Sequence, residues 1–80
     1  MQKRLDQLSG HYIVCGYGRV GRRVVEEMQL ERAHFLVIDR SPDIVDELLE
    51  AGFPYIIANP ANDDVLIDAG IERARCLVSA

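Results

Sequence analysis

The sequence predicts an α/β fold, a parallel sheet in the pattern β-α-β-α-β-α-β over residues 11–80. Three observations carry this. Four short apolar runs recur along the chain, amphipathic segments with helical spacing separate them, and glycine or capping residues punctuate nearly every junction. Alternation at this spacing calls for parallel strands joined by crossover helices, since parallel neighbours cannot be joined by tight hairpins.

The first strand is Tyr12-Ile13-Val14-Cys15, bounded by Gly10 and Gly16. A helix is expected from Arg19 to Leu30, with Val20, Val24 and Met28 on its apolar side and Arg22, Arg23, Glu26 and Glu27 opposite. His34-Phe35-Leu36-Val37-Ile38 reads as a second buried strand ending on Asp39. Ser41-Pro42-Asp43 is a helix start: a capping hydroxyl, proline at the first position and an acid in the first turn. Ile44, Val45, Leu48 and Leu49 form that helix's apolar stripe, and Gly52 closes it. Tyr55 to Ala58 is a third strand. Asn62 caps a short helix over residues 63–69, with Val65, Leu66 and Ala69 inward and Gly70 as its stop. Cys76-Leu77-Val78 is the fourth strand. Met1 to Gly10 reads as a connector of one or two helical turns, with Leu5 and Leu8 three apart.

Gly16-Tyr17-Gly18-Arg19-Val20-Gly21 is a G-x-G-x-x-G that leaves a strand and opens a helix, the context in which this pattern points to a dinucleotide. Gly16 permits the tight turn. Gly18 lets a pyrophosphate approach the backbone, and Gly21 lets the helix pack closely on the strand. The amides of the helix start face the phosphates. Asp39 stands about 20 residues further on, at the end of the second strand, where a carboxylate accepts hydrogen bonds from the two ribose hydroxyls. Its charge repels a 2′-phosphate, which favours NAD or an adenine nucleotide over NADP. Arg40 is expected near the adenine or a phosphate, with a plain surface role as the alternative. Arg19 lies inside the loop and can screen phosphate charge. Arg22 and Arg23 are expected to pair along their own helix with Glu26 and Glu27.

Composition excludes several classes. The 80 residues are 49% hydrophobic and 28% charged, which is ordinary globular usage. Nine Lys and Arg against thirteen Asp and Glu give a net charge of −4, which argues against a general grip on nucleic acid. No run approaches the ~18 apolar residues of a membrane span, and no signal peptide opens the sequence. Cys15 and Cys76 sit in apolar runs and read as reduced, buried thiols of a cytosolic protein. His11 and His34 precede strands without an acid–base partner and read as surface residues. No catalytic constellation or metal-ligand spacing is present, so a regulatory binding module is expected in place of an enzyme. The cofactor half of an NAD-dependent oxidoreductase is the alternative, and an assembly domain with a degenerate pocket a third reading.

The segment Tyr12 to Gly21 closely resembles the first strand and loop of the RCK domains (regulators of potassium conductance), also called KTN or TrkA-N domains. Ala58-Asn59-Pro60-Ala61-Asn62-Asp63-Asp64-Val65-Leu66 resembles that family's Gly-Asp-Ala-Thr-Asp-Glu-Glu-Val-Leu segment, and Ala69-Gly70-Ile71-Glu72-Arg73-Ala74 also matches it. The resemblance implies a Rossmann-like sheet in strand order 3-2-1-4, truncated relative to a full family domain. It implies a cytoplasmic domain at the inner face of the membrane that gates a potassium channel or transporter pore. The family's ligands are NAD, NADH, ATP, ADP and AMP, and its members form dimers and often an eight-membered gating ring. By position, Asn59 and Ala61 would lie near the adenine, and Ser79 and Ala80 near the ribose or pyrophosphate. Where the family often has Gly-Asp, this chain has Ala58-Asn59, which changes the charge and donor pattern offered to the base. Further strand–helix units follow in the full family domain, so the fourth strand is expected to need a neighbour from further sequence or from association.

Overall fold

The computed structural model describes residues 9–80; the expected connector over residues 1–10 falls, for residues 1–8, outside the described residues. Four strands form one parallel sheet: β1 (Tyr12–Cys15), β2 (Phe35–Asp39), β3 (Tyr55–Ile57) and β4 (Cys76–Ser79). Their order is β3-β2-β1-β4. Cys15 lies beside Ile38 on one side and Ser79 on the other, so β1, β2 and β4 end level with one another. The chain moves outward from β1 to β3, then crosses back to β4. That reversal sets the helices on opposite faces of the sheet.

Helices α1 (Arg19–Leu30) and α2 (Val45–Ala51) cover one face. Val25, Met28, Ile44 and Leu48 pack there on Val14, Phe35 and Val37. Phe35 and Phe53 meet edge to face with centroids 5.0 Å apart. Helix α3 (Asp63–Asp68) covers the other face, where Val65, Leu66 and Ala69 pack on Ile13, Leu36 and Ile38. Alternate side chains of β1 and β2 thus serve both layers, which is why these strands are apolar without interruption.

The expected punctuation is in place. Ser41 Oγ accepts from the amide of Asp43, and a short 3-10 turn over Pro42–Ile44 leads into α2. Asn62 Oδ1 accepts from the amide of Asp64 at 2.9 Å and caps α3. Gly52 ends α2 at φ +75°, a left-handed conformation that costs a side-chain-bearing residue about 1 kcal/mol or more.

Several expectations need correction. The buried line of α1 is Gly21, Val25 and Met28, not the line through Val20, which is 59% exposed. Close approach of Gly21 to the sheet turns the helix by one position, leaving Val24 half-buried and Leu30 exposed. Leu49 was expected inward but is 61% exposed, because Ile44 and Leu48 already define the face of α2 that meets the sheet. Cys76 is exposed, since β4 is the outer strand of the described sheet, and Cys15 is only half-buried. Burial raises the Cys15 thiol above its ordinary pKa. His34 is exposed as expected, but His11 is fully buried. Its Nε2 donates to the carbonyl of Ala69 at 2.8 Å, fastening the start of β1 to the end of α3.

The two adjacent leucines of α2 separate burial from hydrophobicity. Leu48→Ala is expected to cost about 2–5 kcal/mol, as for a fully buried side chain. Leu49→Ala should stay within about 0.5 kcal/mol. Urea denaturation midpoints of the two variants check this.

Candidate functional site

In a parallel sheet every strand ends at the same edge, so the segments after Cys15, Asp39, Ile57 and Ser79 converge by topology. The connection after β1 runs to β2 on one side, and the crossover after β3 returns to place β4 on the other side of β1; such a switch point opens a crevice at that edge. The glycine loop occupies it.

The three loop glycines have different causes. Gly16 has φ +106°, and a Cβ there would stand 2.9 Å from the carbonyl oxygen of Ala80. A Cβ on Gly21 would collide with the carbonyl oxygen of Gly16. Both positions are therefore dictated by the packing of α1 on β1 and the end of β4. Gly18 is different. It is exposed, its φ is −87°, and a Cβ there would meet no atom within 4 Å. Nothing in the folded chain requires glycine at this position.

Gly18 is also the N-cap of α1. No side chain caps that end, and the first turn holds no acidic residue. The first hydrogen bond of the helix runs from the amide of Arg22 to the carbonyl of Gly18 at 3.0 Å. The amides of Arg19, Val20 and Gly21 precede that rung, at the positive end of a 12-residue helix. Arg19 and Val20 are exposed beside them.

Asp39 lies across the crevice. Its Oδ2 accepts from the amide of Tyr17 at 2.7 Å and its Oδ1 from the amide of Ser41 at 2.9 Å. Both oxygens are thereby fixed in direction, and each keeps a second acceptor position. Tyr17, expected among the binding residues, turns its ring into the α1–α2 core, and its amide is spent on Asp39. Its part is to hold the loop. Arg40 is exposed.

The segments after β3 and β4 complete the edge. The amide of Ala58 donates to the carbonyl of Asp39 at 2.9 Å, and the amide of Ala80 to that of Cys15 at 2.9 Å. Asn59 is exposed, and its Oδ1 accepts from the amide of Ala61 at 2.9 Å in a local turn. Ala80 lies close to Gly16 and Gly21, and Ala61, Ser79 and Ala80 are all exposed. The structure thus brings Gly16, Gly21 and Ala80 close together and joins Tyr17 to Asp39, and sets Asn59 and Ala61 on a neighbouring loop of the same edge. A groove of about 530 Å³ lined by Tyr12, Val24, Met28, Ala33 and His34 opens at the opposite edge and takes no part in this site.

Two residues of the site escaped the sequence. Arg22 pairs with Glu47 of α2, not along its own helix with Glu26. Its Nη2 lies 2.7 Å from Oε1 and its Nε 3.0 Å from Oε2. Arg22 also donates from Nη1 to the carbonyl of Tyr17 at 2.8 Å, and its guanidinium lies 4.7 Å from the centroid of the Tyr17 ring. This pairing holds the Glu47 carboxyl below the ordinary glutamate range and raises Arg22. Burial, then the Glu47 carboxylate, push the Tyr17 phenol up.

Residues 12–80 match the TrkA-N domain. The chain belongs to the TrkA-N family. This TrkA-N domain is 37% identical to Potassium channel protein 1 of Methanocaldococcus jannaschii over 81 aligned residues, covering 99% of this chain and 24% of that protein. It is 34% identical to the putative cation/proton antiporter YbaL of Escherichia coli, covering 89% of this chain and 13% of the antiporter. The crystal structure of the TrkA-N domain of the inner membrane protein YbaL superposes with a TM-score of 0.85 at 33% identity, over 91% of this chain and 54% of that one. The chain therefore spans a quarter or less of these two curated relatives. Among the described residues, no helix is long and apolar enough to cross a membrane.

The glycines give a paired test. Gly21→Ala, which would gain about 1 kcal/mol in an open helix, should here destabilise by about 1–3 kcal/mol through overpacking. Gly18→Ala should leave stability within about 1 kcal/mol, because the weaker N-cap is offset by a less flexible unfolded chain. Thermal unfolding distinguishes the two. The Glu47 pairing predicts a titration. Because its folded pKa is depressed, the pairing is present at neutral pH and is lost as pH falls through that lowered pKa. Carboxyl carbon shifts should show Glu47 titrating below an ordinary glutamate, and Arg22→Gln should return it to the ordinary range.

Proposed function

We propose that this TrkA-N domain is a regulatory module that binds NAD, NADH or an adenine nucleotide such as ATP, ADP or AMP at the glycine loop. Occupancy is passed to a potassium channel or transporter at the inner, cytoplasmic face of the membrane. The observation that carries the reading is Gly18. The folded chain has room for a side chain there and no conformational need for glycine, so the open space answers to something outside the chain.

The residues present fit a nucleotide. The uncapped amides of Arg19, Val20 and Gly21 would receive phosphate oxygens, with Arg19 adding positive charge beside them. Asp39 would take the ribose hydroxyls on its remaining acceptor positions, and its charge would reject a 2′-phosphate. Asn59, Ala61 and Arg40 would border the base, and Ser79 and Ala80 the ribose or pyrophosphate side. Asn59 Oδ1 is fixed in direction by its own turn, and the amide nitrogen would offer two donors to the base.

The relatives support regulation over catalysis. Two of them are named as a potassium channel and a cation/proton antiporter. Assembly as a homodimer or a larger ring belongs to the same reading, as does the membrane-embedded partner.

Calorimetric titration of the chain with NAD, NADH, ATP, ADP and AMP tests this. At least one should bind saturably. Gly18→Val should abolish that binding while the melting temperature stays near wild type. A well-folded wild type that binds none of the five overturns the proposal and leaves assembly as the domain's role.

A further inference from the structure

We infer that Arg22 and Glu47 form a latch that holds the glycine loop ready for its ligand and makes α2 sense whether the loop is in place. This rests on the nucleotide-binding reading above. The starting point is Tyr17. It stands between Gly16 and Gly18, where the backbone has the most conformational freedom to lose. Yet it is held at three points. Its amide donates to Asp39, its carbonyl accepts from Arg22, and its ring lies against the Arg22 guanidinium with only 5% of the residue exposed.

Arg22 can do this only if its own head group is aimed. A guanidinium presents its donors in one rigid plane, so fixing one edge fixes the others. Glu47 fixes that edge with two hydrogen bonds, leaving Nη1 directed at the Tyr17 carbonyl. The partners lie 25 residues apart, on different helices of the same face. Both side chains are nearly half exposed, at 42% and 47%. An ion pair so exposed contributes little to stability. Its larger consequence is geometric: α2 supports Arg22, Arg22 supports Tyr17, and Tyr17 supports Asp39 and the loop.

Arg22 and Glu47 are therefore positioning residues. They need not touch the nucleotide, and their removal loosens the loop more than it unfolds the domain. Conversely, anything that displaces Glu47 on the outer side of α2 would relax the loop from a distance.

The test compares wild type with Glu47→Gln and with the exchanged pair Arg22→Glu/Glu47→Arg. The readouts are amide hydrogen exchange of the ligand-free domain and calorimetric nucleotide affinity. Glu47→Gln should speed exchange of the Tyr17 amide about 3- to 10-fold with exchange in β1 and β2 unchanged. It should weaken the best-bound nucleotide about 3- to 10-fold while the melting temperature holds. The exchanged pair restores opposite charges but leaves no guanidinium at position 22 to hold the Tyr17 carbonyl, so its loop should remain loose. Wild-type exchange at Tyr17 in Glu47→Gln overturns the latch, as does recovery of both readouts in the exchanged pair. If the wild type binds no nucleotide, the functional reading falls, and exchange alone still decides the latch.

Discussion

The close approach of Gly21 to the carbonyl of Gly16 governs most of this structure. Because no Cβ intervenes, α1 lies hard against β1 and the end of β4. That contact sets the rotation of α1, so Val25 and Met28 reach the core shared with α2 while Val20 faces outward. It also leaves the first amides of α1 at the sheet edge with no side-chain cap. Packing and site thus share one cause. The feature that lets the helix bury its apolar side also presents its positive end to the crevice.

A second constraint is polar and lies at the other end of β1. The chain enters the sheet through His11, fully buried, with Nε2 on the carbonyl of Ala69 and a main-chain carbonyl that accepts from the amide of Arg75 at 2.7 Å. A carbonyl can only accept, so Nε2 carries the proton. Nδ1 is buried without a partner among the described residues. One residue thereby joins β1 to the end of α3 through its side chain and to the approach to β4 through its main chain. A buried polar group with one bond made and one unmade contributes more to specifying this arrangement than to stabilising it.

The fold was legible because its signals are local. The bounds of α1 follow from the glycine loop and its spacing, α2 from Ser41-Pro42 and Gly52, and α3 from Asn62. Strand order followed from the family resemblance and is the order observed. What stayed hidden depends on contacts between distant segments. Periodicity cannot separate Leu48 from Leu49 in a helix of seven residues, because two neighbouring leucines fit the same stripe. Histidine reads as a surface residue until the carbonyl that buries it is known. For the site, the spacing of the glycines and Asp39 was visible, and so was a separate reason for each glycine, because the motif's geometry assigns them. Packing bears out the turn at Gly16 and the close approach at Gly21, and adds that nothing in the folded chain calls for glycine at position 18. Arg22 offered a nearer acid on its own helix, and only the packing of α1 beside α2 brings Glu47 to it.

Ligand binding has leverage over the order of the crevice in the proposed reading. At roughly 0.05–0.15 kcal/mol per residue, 80 residues carry about 4–12 kcal/mol of stability. A ligand at a hundred times its dissociation constant adds about 2.7 kcal/mol to the folded state. That increment falls on the loop after β1 and the end of β2, where Asp39 and Tyr17 already bind each other. The free domain therefore keeps its core through apolar burial on both faces of the sheet, while the order of its crevice rests on a few polar contacts. In that reading, binding would add order to the second of these regions. A regulatory domain needs this distribution, because a site as rigid as the core would have no conformational response to pass on.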